Sequence, residues 1–172
     1  MVKYDLGAFV KPLCSWYEKN KRSMPWREQK GAYEVWISEI MLQQTRIEAV
    51  KGYYDRFLKR LPAVKDLAEI PQEELMKLWE GLGYYNRARN LQKAAQKVQD
   101  EYDGVLPADY EKLKSLPGIG NYTAGAIASI AYKIPAPAVD GNVMRVTMRL
   151  LGCRDDIMKS SVRRDMEQSL MA

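Results

Sequence analysis

Apolar residues recur along this chain with the helical period of about 3.6 residues, and nowhere do they alternate as a half-buried strand would. The pattern is cleanest over 90–101. Leu91, Ala94, Ala95 and Val98 fall on one helical face, while Lys93, Gln96, Lys97 and Asp100 take the others. Gly104 then offers a stop, with Pro107 beyond it. Pro71 opens another helix, and Glu73 and Glu74 sit in its first turn, where the positive end of the helix dipole favours carboxylates. Leu75, Leu78 and Trp79 form the apolar stripe of that helix, which ends at Gly81 or Gly83. Residues 35–44 and 47–58 predict two helices rich in large apolar side chains, and Phe9, Leu13, Trp16 and Tyr17 keep helical spacing near the N-terminus. Shorter helices are predicted over 64–69, 110–115, 122–131, 142–151 and 161–170. There is no hairpin signal between strands, no low-complexity tract and no internal repeat. The two prolines within 134–138 mark the best candidate for a subdomain boundary. An all-α protein is expected.

Composition narrows the class. A chain of 172 residues fits one domain or two small ones with a real core. No apolar run approaches the ~20 residues of a membrane span. Lys3 and Asp5 interrupt any secretory pattern at the start, so the expected setting is the cytoplasm. Cys14 and Cys153 are too few for a disulfide scaffold and suit unpaired thiols in a reducing compartment. The net charge of +5 suits an anionic partner, although many basic proteins bind nothing anionic. Histidine is absent. Proton transfer would therefore fall to Asp, Glu, Tyr, Lys or Cys, and no zinc or other metal site is expected.

Five segments can carry chemistry. Leu116-Pro117-Gly118-Ile119-Gly120 lies between two helical stretches. Its glycines let the backbone take positive φ and approach a partner closely, and the next helix points its N–H groups at the same place. That arrangement suits a phosphate, and an ordinary helix–helix turn is the other reading. Asp140, just before Gly141-Asn142, is either an N-cap or a catalytic carboxylate at a helix start. Glu39 stands in an apolar run, Trp36 to Leu42. Facing the interior, it would be desolvated and could hold a proton near neutral pH; facing solvent, it is one surface glutamate among many. Gln43, Gln44 and Thr45 come next, with hydrogen-bonding groups suited to base edges or sugar-phosphate. In Gly81 to Arg89, Tyr84 and Tyr85 can wedge into a base stack or lie in the core, and Arg87 and Arg89 can hold phosphates. Pro25-Trp26-Arg27 is equally open to both kinds of reading.

In this order and spacing, Pro25-Trp26-Arg27, Ser38 to Thr45, Gly81 to Arg89, Leu116 to Gly120 and Val139-Asp140-Gly141-Asn142 resemble the MutY-type adenine DNA glycosylases. These belong to the helix-hairpin-helix superfamily that also holds endonuclease III. The hairpin with its downstream Asp marks the superfamily; the Ser38 to Thr45 run with its Glu marks the adenine enzymes. The resemblance implies roles residue by residue. Asp140 stabilises the cationic sugar as the base departs, with Asn142 beside it. Glu39 protonates the leaving adenine at N7. Tyr122 stands where endonuclease III has its lysine nucleophile, which implies no lyase step. Gln44 and Tyr84 intercalate beside the oxidised guanine, and Trp26, Arg27, Thr45 and Leu82 contact the lesion pair or line the pocket.

The fold so implied is a six-helix barrel module over 20–133 carrying the hairpin, with 1–19 and 134–172 as a partial second lobe. The active site is expected in the cleft between them, with Glu39 largely buried. The implied partner is double-stranded DNA with adenine opposite 8-oxoguanine or guanine, bound by a monomer. The family's full-length members carry a [4Fe–4S] cluster on four cysteines, then a recognition domain for 8-oxoguanine; neither cysteine here matches a cluster ligand, so no cofactor is expected in this chain. Two other functions compete: thymine or uracil excision from mismatches with guanine, and a non-catalytic DNA-binding module. Glu39 argues against the first, since thymine has no N7 to protonate, and paired Glu39 and Asp140 argue against the second.

Overall fold

In the computed structural model, which describes residues 6–29 and 31–171, every regular element is helical among the described residues. In chain order these are α1 (Gly7–Asn20), α2 (Pro25–Glu28), α3 (Ala32–Leu42), α4 (Ile47–Arg60), α5 (Val64–Glu69), α6 (Gln72–Trp79), α7 (Asn86–Tyr102), α8 (Tyr110–Lys114), α9 (Asn121–Ala126), α10 (Gly141–Leu150) and α11 (Ser160–Met171). A π-helical segment, Ile127–Ala131, continues α9. The chain divides into two compact units, one spanning Met24–Ala138 and the other formed by the residues before Met24 together with those from Val139 onward.

The Met24–Ala138 unit owes its core to the apolar stripes that the helical period lays down. Trp36, Ile37 and Met41 of α3, Tyr54 and Phe57 of α4, Trp79 of α6, Leu91 of α7 and Leu113 of α8 are all fully buried. Each such side chain contributes roughly 1.5–3 kcal/mol relative to exposure. Phe57 and Trp79 meet edge to face at 6.0 Å, an arrangement that aromatic quadrupoles favour. The longest helix, α7, clamps α5: Gln92 and Gln96 donate to the carbonyls of Ile70 (2.6 Å) and Ala68 (3.3 Å), which lie at and just before its C-terminal end. At its own end α7 turns through Asp103 (φ 51°) and Gly104 (φ 76°), so the Gly104 N–H closes on the Val98 carbonyl at 3.1 Å. Pro71 stands as the cap residue of α6. Near the other end of the unit, α3 packs against α4, α9 and the π-helical segment, which brings the helix carrying Glu39 beside the helix just after the hairpin.

The second unit has a smaller core. Val139, Met144 and Met148 pack with Met166 of α11, backed by Val143, Leu151, Cys153 and Val162. Arg163 of α11 donates to the Val139 carbonyl at 2.8 Å. Helix α1 falls in this unit but buries none of its residues: Phe9, Leu13 and Trp16 remain exposed.

Candidate functional site

The hairpin is built from inside out. Leu116 and Ile119 are buried, and the Ile119 N–H closes a tight turn on the Leu116 carbonyl at 3.1 Å. Those two anchors leave Pro117 half-buried and turn Gly118 and Gly120 to the surface. Only Gly118 uses the left-handed region, at φ 77°; Gly120 is extended (φ −92°) and caps α9. The expectation that both glycines serve positive φ is therefore corrected. A Cβ on Gly118 would lie 2.8 Å from the Cβ of Asn90, whereas one on Gly120 would meet nothing within 4 Å. Gly118→Ala should thus cost about 1–2 kcal/mol. Gly120→Ala should leave thermal stability nearly unchanged while weakening any ligand that must approach that backbone. Paired melting and DNA-binding curves for the two variants check this; equal melting points would contradict it.

Helix α3 is buried on nearly all sides, through Tyr33, Val35, Trp36, Ile37, Ser38, Ile40 and Met41. Glu39 is half-buried, and so differs from the largely buried carboxyl expected. The reason is the helical period: the large apolar residues fill the inward arc, and Glu34, Glu39 and Leu42 fall on its border. After α3 the chain turns at Gln43 and Gln44, and Gln44 adopts φ 56°.

A second loop, between α6 and α7, carries three left-handed residues, Gly81 (φ 94°), Gly83 (φ 71°) and Tyr84 (φ 48°). Leu82 tucks inward and Tyr84 stands 65% exposed, which leaves its ring available to another molecule. The Trp79 indole N–H holds the Gly83 carbonyl at 3.1 Å.

Arg87 joins the two loops. Its Nη1 donates to the carbonyls of Ile40 (2.9 Å), Met41 (3.1 Å) and Gln43 (2.5 Å). Its Nη2 donates to the carbonyls of Leu82 (2.9 Å) and Gly83 (3.2 Å) and to Thr45 Oγ1 (3.2 Å). The guanidinium also lies against the rings of Trp79 and Tyr84, 5.4 and 5.7 Å from their centroids. Burial pulls its pKa below the usual arginine value, with Tyr84 opposing that shift. The expectation that Arg87 grips phosphate is corrected: its terminal nitrogens are committed to backbone carbonyls of the protein. Nothing in the sequence separates this arginine from Arg89, which is exposed and pairs with Asn86 at 2.9 Å.

The other candidate residues of this unit lie around these loops. Trp26 of α2 is half-buried, edge-on to Tyr54 at 5.6 Å, and Arg27 beside it is exposed. Thr45 donates to the Gln43 carbonyl at 3.2 Å. Tyr122 lies half-buried in the first turn of α9.

In the other unit, Asp140 precedes α10 and caps it. Its Oδ1 accepts the Val143 N–H at 2.8 Å, and its Oδ2 accepts from the Asn142 side chain at 3.0 Å. The cap reading is realised, and it fixes the carboxylate in one orientation.

An iron–sulfur cluster takes four thiolates, and this chain has two cysteines. No group of three or more His, Cys, Asp or Glu able to hold a metal occurs among the described residues. The residues present do not fit a [4Fe–4S] cluster. No helix among the described residues is long and apolar enough to cross a membrane.

The chain is similar to the adenine DNA glycosylase of Rattus norvegicus, at 46% identity over 92% of this chain and 32% of that protein. It is likewise similar to the adenine DNA glycosylase of Mus musculus, at 48% identity over 85% of this chain and 30% of that protein. It therefore spans about a third of the length of these relatives. A solved thermostable thymine-DNA glycosylase matches with a TM-score of 0.85 at 29% identity, over 95% of this chain and 77% of that one. A non-covalent endonuclease III–DNA complex matches at 0.80 and 28%, over 99% of this chain and 77% of that one. The family described as HhH-GPD superfamily base excision DNA repair protein matches residues 37–171. Hairpin, downstream Asp and helical architecture agree with that match, and the chain belongs to the HhH-GPD superfamily of base excision DNA repair proteins.

Proposed function

We propose that this chain is the glycosylase part of an enzyme that hydrolyses the N-glycosidic bond of adenine mispaired with 8-oxoguanine or guanine in double-stranded DNA. The observation that carries the reading is Glu39, a carboxyl half-withdrawn from water on a helix packed against α9. Such a group is positioned to hold a proton and still be reached by a base taken out of the stack. Similarity to adenine DNA glycosylases supports the same base.

Breaking the bond between C1′ and N9 leaves positive charge on the sugar and negative charge on the base. Glu39 gives its proton to adenine N7, so the base leaves neutral. The Asp140 carboxylate offsets the charge on the sugar. Water then adds its oxygen to C1′ and returns a proton, leaving an abasic site. Two carboxyl groups divide this work, as they do in glycosidases. Main-chain N–H groups of the hairpin hold phosphate, and Gln44 and Tyr84 enter the stack beside the oxidised guanine.

Tyr122 determines the fate of the abasic site. A phenol has no amine, so it cannot form the imine through which a lysine nucleophile cleaves the strand. The full-length protein should release adenine from a duplex with A opposite 8-oxoguanine in a single turnover, and borohydride should trap no covalent complex. Tyr122→Lys should make trapping detectable. Release of thymine from a T:G duplex but not adenine would replace this reading with the thymine one. Efficient trapping of the unaltered protein, with no increase in Tyr122→Lys, would remove the assignment of that position.

A further inference from the structure

Four non-glycine residues adopt positive φ among the described residues, and two of them, Gln44 and Tyr84, are the residues assigned to the base stack. A left-handed conformation costs an ordinary side chain roughly 1–2 kcal/mol, and it persists only where the surroundings over-determine it. Arg87 supplies that determination. The carbonyls it holds belong to Gln43, immediately before Gln44, and to Gly83, immediately before Tyr84. The same two terminal nitrogens also reach Ile40, Met41 and Thr45 on one side and Leu82 on the other, so a single planar group fastens both loops at once. A guanidinium is suited to this because its donors lie in a rigid fork. An ammonium could satisfy three acceptors at most. The rings of Trp79 and Tyr84 against the guanidinium further fix its plane.

We infer that Arg87 is a positioning residue for mismatch recognition: it sets Gln44 and Tyr84 in one fixed register, so that the two side chains enter the DNA together. It touches neither base nor phosphate. The inference rests on the proposed function for its consequence on DNA, but the clasp itself can be read on the free protein.

The test uses Arg87→Lys, which keeps the charge and breaks the fork, and Thr45→Val, which keeps the shape but removes one acceptor of the clasp together with the hydroxyl's own bond to the Gln43 carbonyl. In the free protein, amide hydrogen exchange should accelerate at both 42–46 and 82–85 in Arg87→Lys. Thr45→Val should show a smaller effect in the same direction, and the α7 amides around Leu91 to Val98 should stay protected. Acceleration in one loop only, or in neither, overturns the inference. On DNA, Arg87→Lys should lower the preference for a mismatched over a matched duplex by at least about tenfold. Its affinity for matched duplex and the salt dependence of that affinity should not change. A salt slope smaller by about one, with equal loss on both duplexes, would mean a phosphate contact and overturn the inference. If the exchange results hold but the unaltered protein shows no preference for A opposite 8-oxoguanine, the clasp stands and the adenine reading is the part that fails.

Discussion

Replacing Glu39 with glutamine is expected to slow adenine excision in a single turnover by about a hundredfold to ten-thousandfold, the range a positioned general acid supplies. Gln keeps the length and shape of the side chain but has no carboxyl proton to give. Adenine would then have to leave as an anion, which is the unfavourable half of the charge separation. The helix itself should tolerate the change. Glu39 sits on the border of α3 while Trp36, Ile37, Ile40 and Met41 carry the packing. Melting temperature and affinity for the mismatched duplex should therefore stay close to those of the unaltered protein. A Glu39→Gln protein that releases adenine at the normal rate would remove Glu39 from the chemistry and leave the DNA-binding module as the better account.

Asp140 offers the second large effect, and here structure and chemistry can be separated. The carboxylate accepts the Val143 N–H through one oxygen and the Asn142 amide through the other. Asp140→Asn keeps an oxygen for the first bond, and Asn is as good a helix cap as Asp, so stability should change little. Asp140→Ala loses the cap and should cost about 1 kcal/mol. On the proposed mechanism, both variants lose the negative charge that offsets the sugar cation. Excision should fall by about a hundredfold or more in each, on the scale of removing one preorganised electrostatic partner. Chemical denaturation and single-turnover rates, measured together, check the pair. If Asp140→Asn retained full activity while Asp140→Ala lost it, the residue would be a cap and nothing more.

Much of this architecture is legible in the chain. The stripe of Leu91, Ala94, Ala95 and Val98 marks the buried face of α7, and α5 falls over the 64–69 stretch that the period assigns. Each of these faces packs where the period puts it because burying an apolar stripe is the dominant favourable term and needs only local spacing to specify it. The one-turn α2 leaves no such trace, because four residues are too few to show a period. The π-helical Ile127–Ala131 carries the pattern of an ordinary helix, because nothing local in an Ile/Ala/Ser run distinguishes the two.

Chemistry divides in a similar way. Residue types and order along the chain are enough to single out Glu39, Asp140, Tyr122 and the 116–120 hairpin, because proton donors, carboxylates and glycine turns are properties of residues. The roles of Arg87, Gly118 and Gly120 are not available there. Arg87 and Arg89 look alike in sequence, and one is a clasp only because residues more than 40 positions earlier bring their carbonyls to it. Gly118 must be glycine because Asn90 of a distant helix lies beneath it, while Gly120 needs no such allowance. The degree to which Glu39 is withdrawn from water likewise depends on which elements surround α3. Periodicity and residue chemistry act over a few positions, so the chain alone determined the longer helices and nominated candidate reactive groups. Burial, hydrogen-bond partners and forced backbone conformations depend on residues far apart in sequence, and they took their values only when the helices packed.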